Sequence, residues 1–169
     1  MADGGLSQVG IVPDAGNWRA FRDALGHFAT GVTVVTIAGP SGPMGFTANS
    51  FASLSLDPPL VLWSLARTSQ RFTAFATARH YAIHVLAEDQ RDFATRFSRG
   101  GAAGPDPYWE WTHEGVPALL GVLARFDCAQ HATHDGGDHL IIVGQVLRLT
   151  LEEGRPLVFA QGRFGGFAG

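Results

Sequence analysis

The chain has 169 residues, 46% of them hydrophobic and 16% charged, with a formal net charge of -3. That supplies the core of one domain, and an acidic balance argues against a partner held by nucleic-acid phosphates. Lysine is absent and all 12 basic residues are arginine, which excludes Schiff-base chemistry and a P-loop lysine.

Residues 1–16 are aperiodic and read as a mobile tail ahead of a single domain over 17–169. No basic n-region or apolar h-region marks them as a signal peptide. No apolar run reaches the ~18 residues that span a bilayer, so no membrane partner is expected. The single cysteine, Cys128, favours a reducing cytoplasm.

Asn17 is a plausible N-cap for a helix from Trp18 to about Phe28, with Trp18, Phe21, Leu25 and Phe28 on one apolar face. Val32 to Ile37 is β-branched and predicts a strand. Gly39 to Pro43 predicts a turn, and Gly45-Phe46 leads into the second strand of a hairpin. From Thr47 to Ser55 short polar residues (Thr47, Asn49, Ser50, Ser53, Ser55) partly alternate with Ala48, Phe51, Leu54 and Leu56. This reads as an extended ribbon with one face on the core and one neutral, hydrogen-bonding face. Such a face suits a flat ligand with carbonyl and N–H edges, and equally a solvent-facing strand. Asp57-Pro58-Pro59 forces a corner, and Leu60 to Trp63 is a buried strand.

Thr68 or Ser69 is placed to cap a short helix through Ala78. With Arg67 and Arg71 alongside, that junction is either an anion site or an ordinary cap. Tyr81 to Leu86 predicts a strand, and Gln90 to Phe97 a short helix. Residues 98–107 form a Gly/Pro-rich loop. Leu119 to Ala132 and Leu140 to Leu151 predict two long strands joined through Asp135-Gly-Gly-Asp138 as a hairpin. Pro156 to Ala160 is a last strand, and Gly162 onward a tail. Six or seven strands in antiparallel hairpins favour a mainly β barrel with a few short helices outside. No dinucleotide-binding glycine motif opens a helix.

Two clusters carry possible chemistry. Cys128, His131 and His134 have zinc-ligand types, but residues three apart on a strand face opposite ways. His139, just past a glycine turn and next to Asp138, is placed either to project into a cleft and donate a hydrogen bond or a proton, or to sit as a surface histidine at a hairpin end. Cys128 lies in an apolar strand without an activating cation and reads as inert.

Five segments in order resemble the flavin reductase-like domain family, the small NAD(P)H:flavin oxidoreductases of two-component flavin monooxygenases. They are FATGVTVVT (28–36), GFTANSFASLSLDPPLVLWSL (45–65), YAIHVLAEDQ (81–90), GDHLIIVGQV (137–146) and PLVFAQGRF (156–164). The resemblance implies an antiparallel, Greek-key-like, FMN-binding split β-barrel that forms a homodimer. It implies reduction of FMN or FAD by NADH or NADPH, and a separate monooxygenase that receives the reduced flavin. It places Thr47, Ala48, Asn49, Ser50 and Phe51 on the isoalloxazine ring, with Ser53 and Leu54 continuing toward the ribityl chain. It places Thr68, Ser69 and Gln70 on the flavin phosphate, His139 beside the nicotinamide, and Gly100 and Gly101 over the adenine or phosphate end. Where relatives often have a tyrosine, this chain has Phe164. Two alternatives stay open: a split-barrel flavin or haem binder without NAD(P)H turnover, and a metal-binding module.

Overall fold

The structure is a computed structural model that describes residues 10–100 and 109–167. Among them are twelve strands and three short helices. Seven strands form one antiparallel sheet in the order β3-β2-β6-β9-β10-β5-β4. They are β2 (Thr33–Gly39), β3 (Gly42–Ala48), β4 (Ala52–Leu56), β5 (Pro59–Ala66), β6 (His80–Val85), β9 (Ala124–Gly136) and β10 (His139–Leu151).

Connectivity forces this sheet to roll. β3 and β4 lie at its opposite edges, yet only Asn49, Ser50 and Phe51 separate them. Flat, seven strands would hold the edges roughly 29 Å apart. The chain from Ala48 to Ala52 reaches at most about 14 Å. The edges are therefore drawn together across a seam, and the sheet is a barrel split along one line. The predicted continuous ribbon is broken here: Thr47 and Ala48 belong to one edge, Ser53 to Ser55 to the other.

The barrel interior holds Val35, Trp63, Leu65, Tyr81, Ile83 and Ile142, all buried, with Phe75 closing one side. β2 is buried on both faces from Thr33 to Ile37. Its outward Val34 packs with Val32, Leu86, Phe97, Leu119 and Leu157 in a second core. That core sits under α3 (Arg91–Ser98), β8 (Pro117–Leu119) and β11 (Leu157–Ala160). Gly45 lets α3 come close, since a Cβ there would lie 2.4 Å from the Phe97 ring.

His84 links the two layers. It is fully buried; Leu119 N–H donates to its Nε2 at 3.1 Å, so Nδ1 carries the proton and donates to the Val34 carbonyl at 2.9 Å. Burial pushes its pKa down to about 4, the Val34 bond opposes this, and the nearby Arg125 charge adds to it. The fold therefore prefers the neutral ring. Its contribution is complete above the unfolded value near 6.5 and is lost as pH falls toward 4, on the order of 3 kcal/mol in all. Urea unfolding from pH 7 to 4 should show that loss in the wild type and a flatter profile in His84→Gln. Parallel profiles would refute the assignment.

Several boundaries differ from the sequence expectations. α1 (Trp18–Gly26) ends two residues before Phe28, and none of its residues is buried. Asn17 makes no side-chain bond into the helix; its carboxamide accepts from Asp14 N–H and donates to the Val12 carbonyl. α2 spans only Phe72–Ala76, and its N-cap position is Arg71 rather than Thr68 or Ser69. The Ser69 hydroxyl instead accepts from Arg71 N–H within its own turn. β12 (Arg163–Gly166), expected to be tail, pairs with β11, and β11 in turn pairs with β1 (Thr30–Gly31). β7 (Trp109–Trp111) and β8 make a separate hairpin.

Candidate functional site

The C-terminal end of β5 gathers three of the segments singled out in the sequence. On one side, the Ser50 hydroxyl accepts from Ser64 N–H at 2.9 Å and lies 3.3 Å from the Ser64 carbonyl, to which it donates. Ser50 thus replaces a backbone partner where the β4 ladder stops at Ala52. On the other side, β10 begins with His139 opposite Ala66 and continues with Ile141 opposite Ser64. Ser64 and Ala66 point to the same face, about 7 Å apart along the strand. Thr68, Ser69 and Gln70 follow directly from that end.

At the seam Asn49, Ser50 and Phe51 lie outside both flanking ladders. Ala48 is buried, with its carbonyl accepting from the Thr33 hydroxyl at 2.6 Å. The Thr47 hydroxyl donates to the Ala94 carbonyl of α3 at 2.8 Å, which leaves its backbone rather than its side chain toward any ligand. Asn49 is exposed and its carboxamide has no hydrogen bond to the described residues. Phe51 packs on Phe126, ring centroids 5.5 Å apart. Ser53 and Leu54 are exposed along β4. The seam thus offers an unpaired carboxamide and ladder-free backbone beside an aromatic wall, the donor set that fits a flat neutral ring.

An open cleft of about 670 Å³ adjoins Asn49, within the usual range for a small-molecule site. His27 just past α1, Thr30 of β1, Phe159 of β11 and Gln161 of the β11–β12 turn line it. None of these was assigned a role from the sequence. The signal was present, because Thr30 and Phe159 lie inside two of the five segments, 28–36 and 156–164. Their pairing across β1 and β11 (Thr30 opposite Phe159) requires the fold.

The two arginines beside Thr68–Gln70 are both engaged. Arg71 reaches inward, where Nη1 donates to the Gly45 and Phe97 carbonyls and the guanidinium stands over Phe46. It thereby ties the start of α2 to the end of α3. Arg67 donates to Asp135 Oδ1 at 2.7 Å and to the Gly137 carbonyl at 3.0 Å. Thr68 and Gln70 are exposed and Ser69 half-buried. Gly100 is exposed just beyond α3, with a positive φ of 86°. Gly101 lies outside the described residues.

His139 Nδ1 is 2.7 Å from Asp138 Oδ1, and 42% of its side chain is exposed. The contact holds the Asp138 carboxyl below the usual carboxylate range. With Nδ1 donating to Asp138, Nε2 has no hydrogen-bond partner among the described residues.

The proposed metal cluster is not assembled. Cys128 is buried in the barrel while His131 and His134 are exposed, and no group of three potential ligands occurs among the described residues. Burial pushes the Cys128 thiol up to about 12, with the Asp127 charge adding to the shift. No described helix is long and apolar enough to cross a membrane.

A rolled antiparallel sheet with a ligand-ready seam and short outer helices defines a split β-barrel of the flavin-binding class. The chain belongs to the flavin reductase like domain family, which it matches over residues 25–168. It is 57% identical over 158 residues to FMN reductase (NADH) SmoA of Agrobacterium fabrum, covering 94% of this chain and 91% of that one. It is 40% identical over 169 residues to the flavin-dependent monooxygenase reductase subunit HsaB of Rhodococcus jostii, covering 97% and 83%. Among solved structures, the NADH:FAD oxidoreductase SgcE6 of Streptomyces globisporus, in complex with NAD and FAD fragments, superposes with a TM-score of 0.82. That match has 35% identity and covers 94% of this chain and 98% of that one.

Proposed function

We propose that this protein reduces a flavin with NADH and delivers the reduced flavin to a separate flavin-dependent monooxygenase. The 57% identity to an NADH-dependent FMN reductase, spanning nearly all of both chains, carries the reading. It also makes FMN the favoured flavin over FAD. When bound, the flavin and nicotinamide would supply hydride transfer from nicotinamide C4 to flavin N5. The protein's task would be orientation, so that the two rings react as one unit rather than after a random encounter.

The residue roles we propose are those the family resemblance implies, and the exposed Asn49 and the Asp138-bonded His139 support them. Backbone groups of Thr47 to Phe51 and the Asn49 carboxamide meet the ring edges, where fixed donors stabilise negative charge that develops on reduction. Ser53 and Leu54 flank the ribityl chain, and Thr68, Ser69 and Gln70 meet the phosphate. Gly100 and Gly101 border the outer end of the nucleotide. His139, oriented by Asp138, positions the nicotinamide.

The working unit we propose is a homodimer in the cytoplasm. Trp18, Phe21 and Leu25 of α1, and Phe28 beyond it, are all about half exposed or more. An apolar face left open by one chain suits burial against a second copy. A sedimentation mass of one chain would refute the dimer.

The deciding measurement is NADH oxidation with and without FMN or FAD. Oxidation that depends on and saturates with flavin is expected, with FMN preferred. No oxidation with either flavin would overturn the reading.

A further inference from the structure

We propose that Arg67 is a positioning residue that clamps the β9–β10 turn, and with it His139, against the end of β5. The inference rests on the role given above to His139.

Three contacts on one short turn carry it. Arg67 N–H donates to the Asp138 carbonyl at 2.9 Å, extending the β5–β10 ladder one residue past the Ala66–His139 pair. Its guanidinium Nε donates to the Gly137 carbonyl at 3.0 Å, and Nη2 to Asp135 Oδ1 at 2.7 Å. The turn is therefore gripped on both flanks and at its apex by one side chain and its own backbone. The guanidinium also stands 5.8 Å from the Phe72 ring centroid, at the start of α2. Arg67 thus joins the turn carrying His139 to the segment that begins at Thr68.

Stability is not the purpose of this grip. The Arg67 and Asp135 side chains are 42% and 80% exposed, and exposed pairs of this kind contribute little. The turn also keeps its ladders to β9 and β5 without the guanidinium. What the grip restricts is the swing of residues 135–138. His139 is the first residue of β10, and its imidazole is bonded to Asp138, so that swing moves it directly. A planar fork that bonds a carbonyl and a carboxylate together is a task for arginine that lysine cannot copy.

The test compares Arg67→Ala, Arg67→Lys and Asp135→Ala with the wild type. Arg67→Ala and Arg67→Lys should raise KM for NADH about tenfold, since small misplacements of a positioning group are costly. Flavin affinity and the thermal midpoint should stay unchanged. Asp135→Ala should shift the same parameter less, and the double variant should add nothing beyond Arg67→Ala. Unchanged NADH kinetics in an active Arg67→Ala protein would overturn the proposal. So would a loss of flavin affinity with Asp135→Ala silent, which would make Arg67 a phosphate ligand. Inactivity of the wild type would instead refute the reductase reading. Amide exchange over residues 136–139 then decides the clamp: faster exchange in Arg67→Ala supports it, and equal exchange refutes it.

Discussion

Alanine at Gly144 is expected to destabilise the protein by about 1–3 kcal/mol or more, the range for forcing an extra group into a packed core. A Cβ at this position would lie 2.1 Å from the Tyr81 hydroxyl oxygen and 2.9 Å from its Cζ, with Cys128 Cβ at 3.3 Å. Tyr81 has no room to yield. It is 1% exposed and meets Trp63 edge-on at 5.9 Å and 71°. The backbone is held on both sides as well, since Gly144 pairs with Val61 of β5 and with Gln130 of β9. Denaturant unfolding should show a lower midpoint with an unaltered slope. Gly165→Ala is the control, since its Cβ would have nothing within 4 Å. Equal midpoints for the two variants would show that the Tyr81 contact is not limiting.

Loss of the His139 imidazole is expected to lower kcat/KM for NADH by about 10- to 100-fold while flavin binding persists, the scale of lost orientation rather than lost chemistry. The ring stands at the end of β5 opposite Ala66, across that strand from Ser50 and the seam. Its Nδ1 is occupied by Asp138, so only Nε2 is free to meet a second nucleotide. Steady-state kinetics with NADH varied, beside flavin titration by fluorescence, separates the two effects. Unchanged turnover would remove His139 from the site. A matching loss of flavin affinity would move it from the nicotinamide to the flavin.

The barrel was legible in the sequence because its signals are local. The β-branched run from Val32, the Asp57-Pro58-Pro59 corner and the Gly137-Asp138 turn each fix short-range backbone geometry, and the hairpins follow. The seam was not legible. Alternation from Thr47 to Ser55 looks the same whether one strand continues or two edges meet, and only sheet order distinguishes them. β12 escaped because Gly165 and Gly166 have poor strand propensity, and its partner supplies the order. The α1 stripe gave the correct helix but not its surroundings, since periodicity reports a sticky face and not what covers it. At the candidate site, chemical type and resemblance nominated Asn49, Ser50, Ser69 and His139, and the fold brings Ser50 and His139 to the same end of β5. The Arg67 contacts to Asp135 and Gly137 and the Thr30–Phe159 pairing join residues far apart in sequence, which no spacing rule brings together.

The three-residue span from Asn49 to Phe51 also bears on aggregation. β3 and β4 are the two free edges of the large sheet, and free edges are templates for pairing with other chains. A tether this short keeps them facing each other across the seam rather than outward. Its length therefore restrains two aggregation-prone edges, whatever the seam binds. Lengthening it to admit a bulkier ligand would release two sticky edges, so evolution or engineering of a wider site must lengthen other loops first.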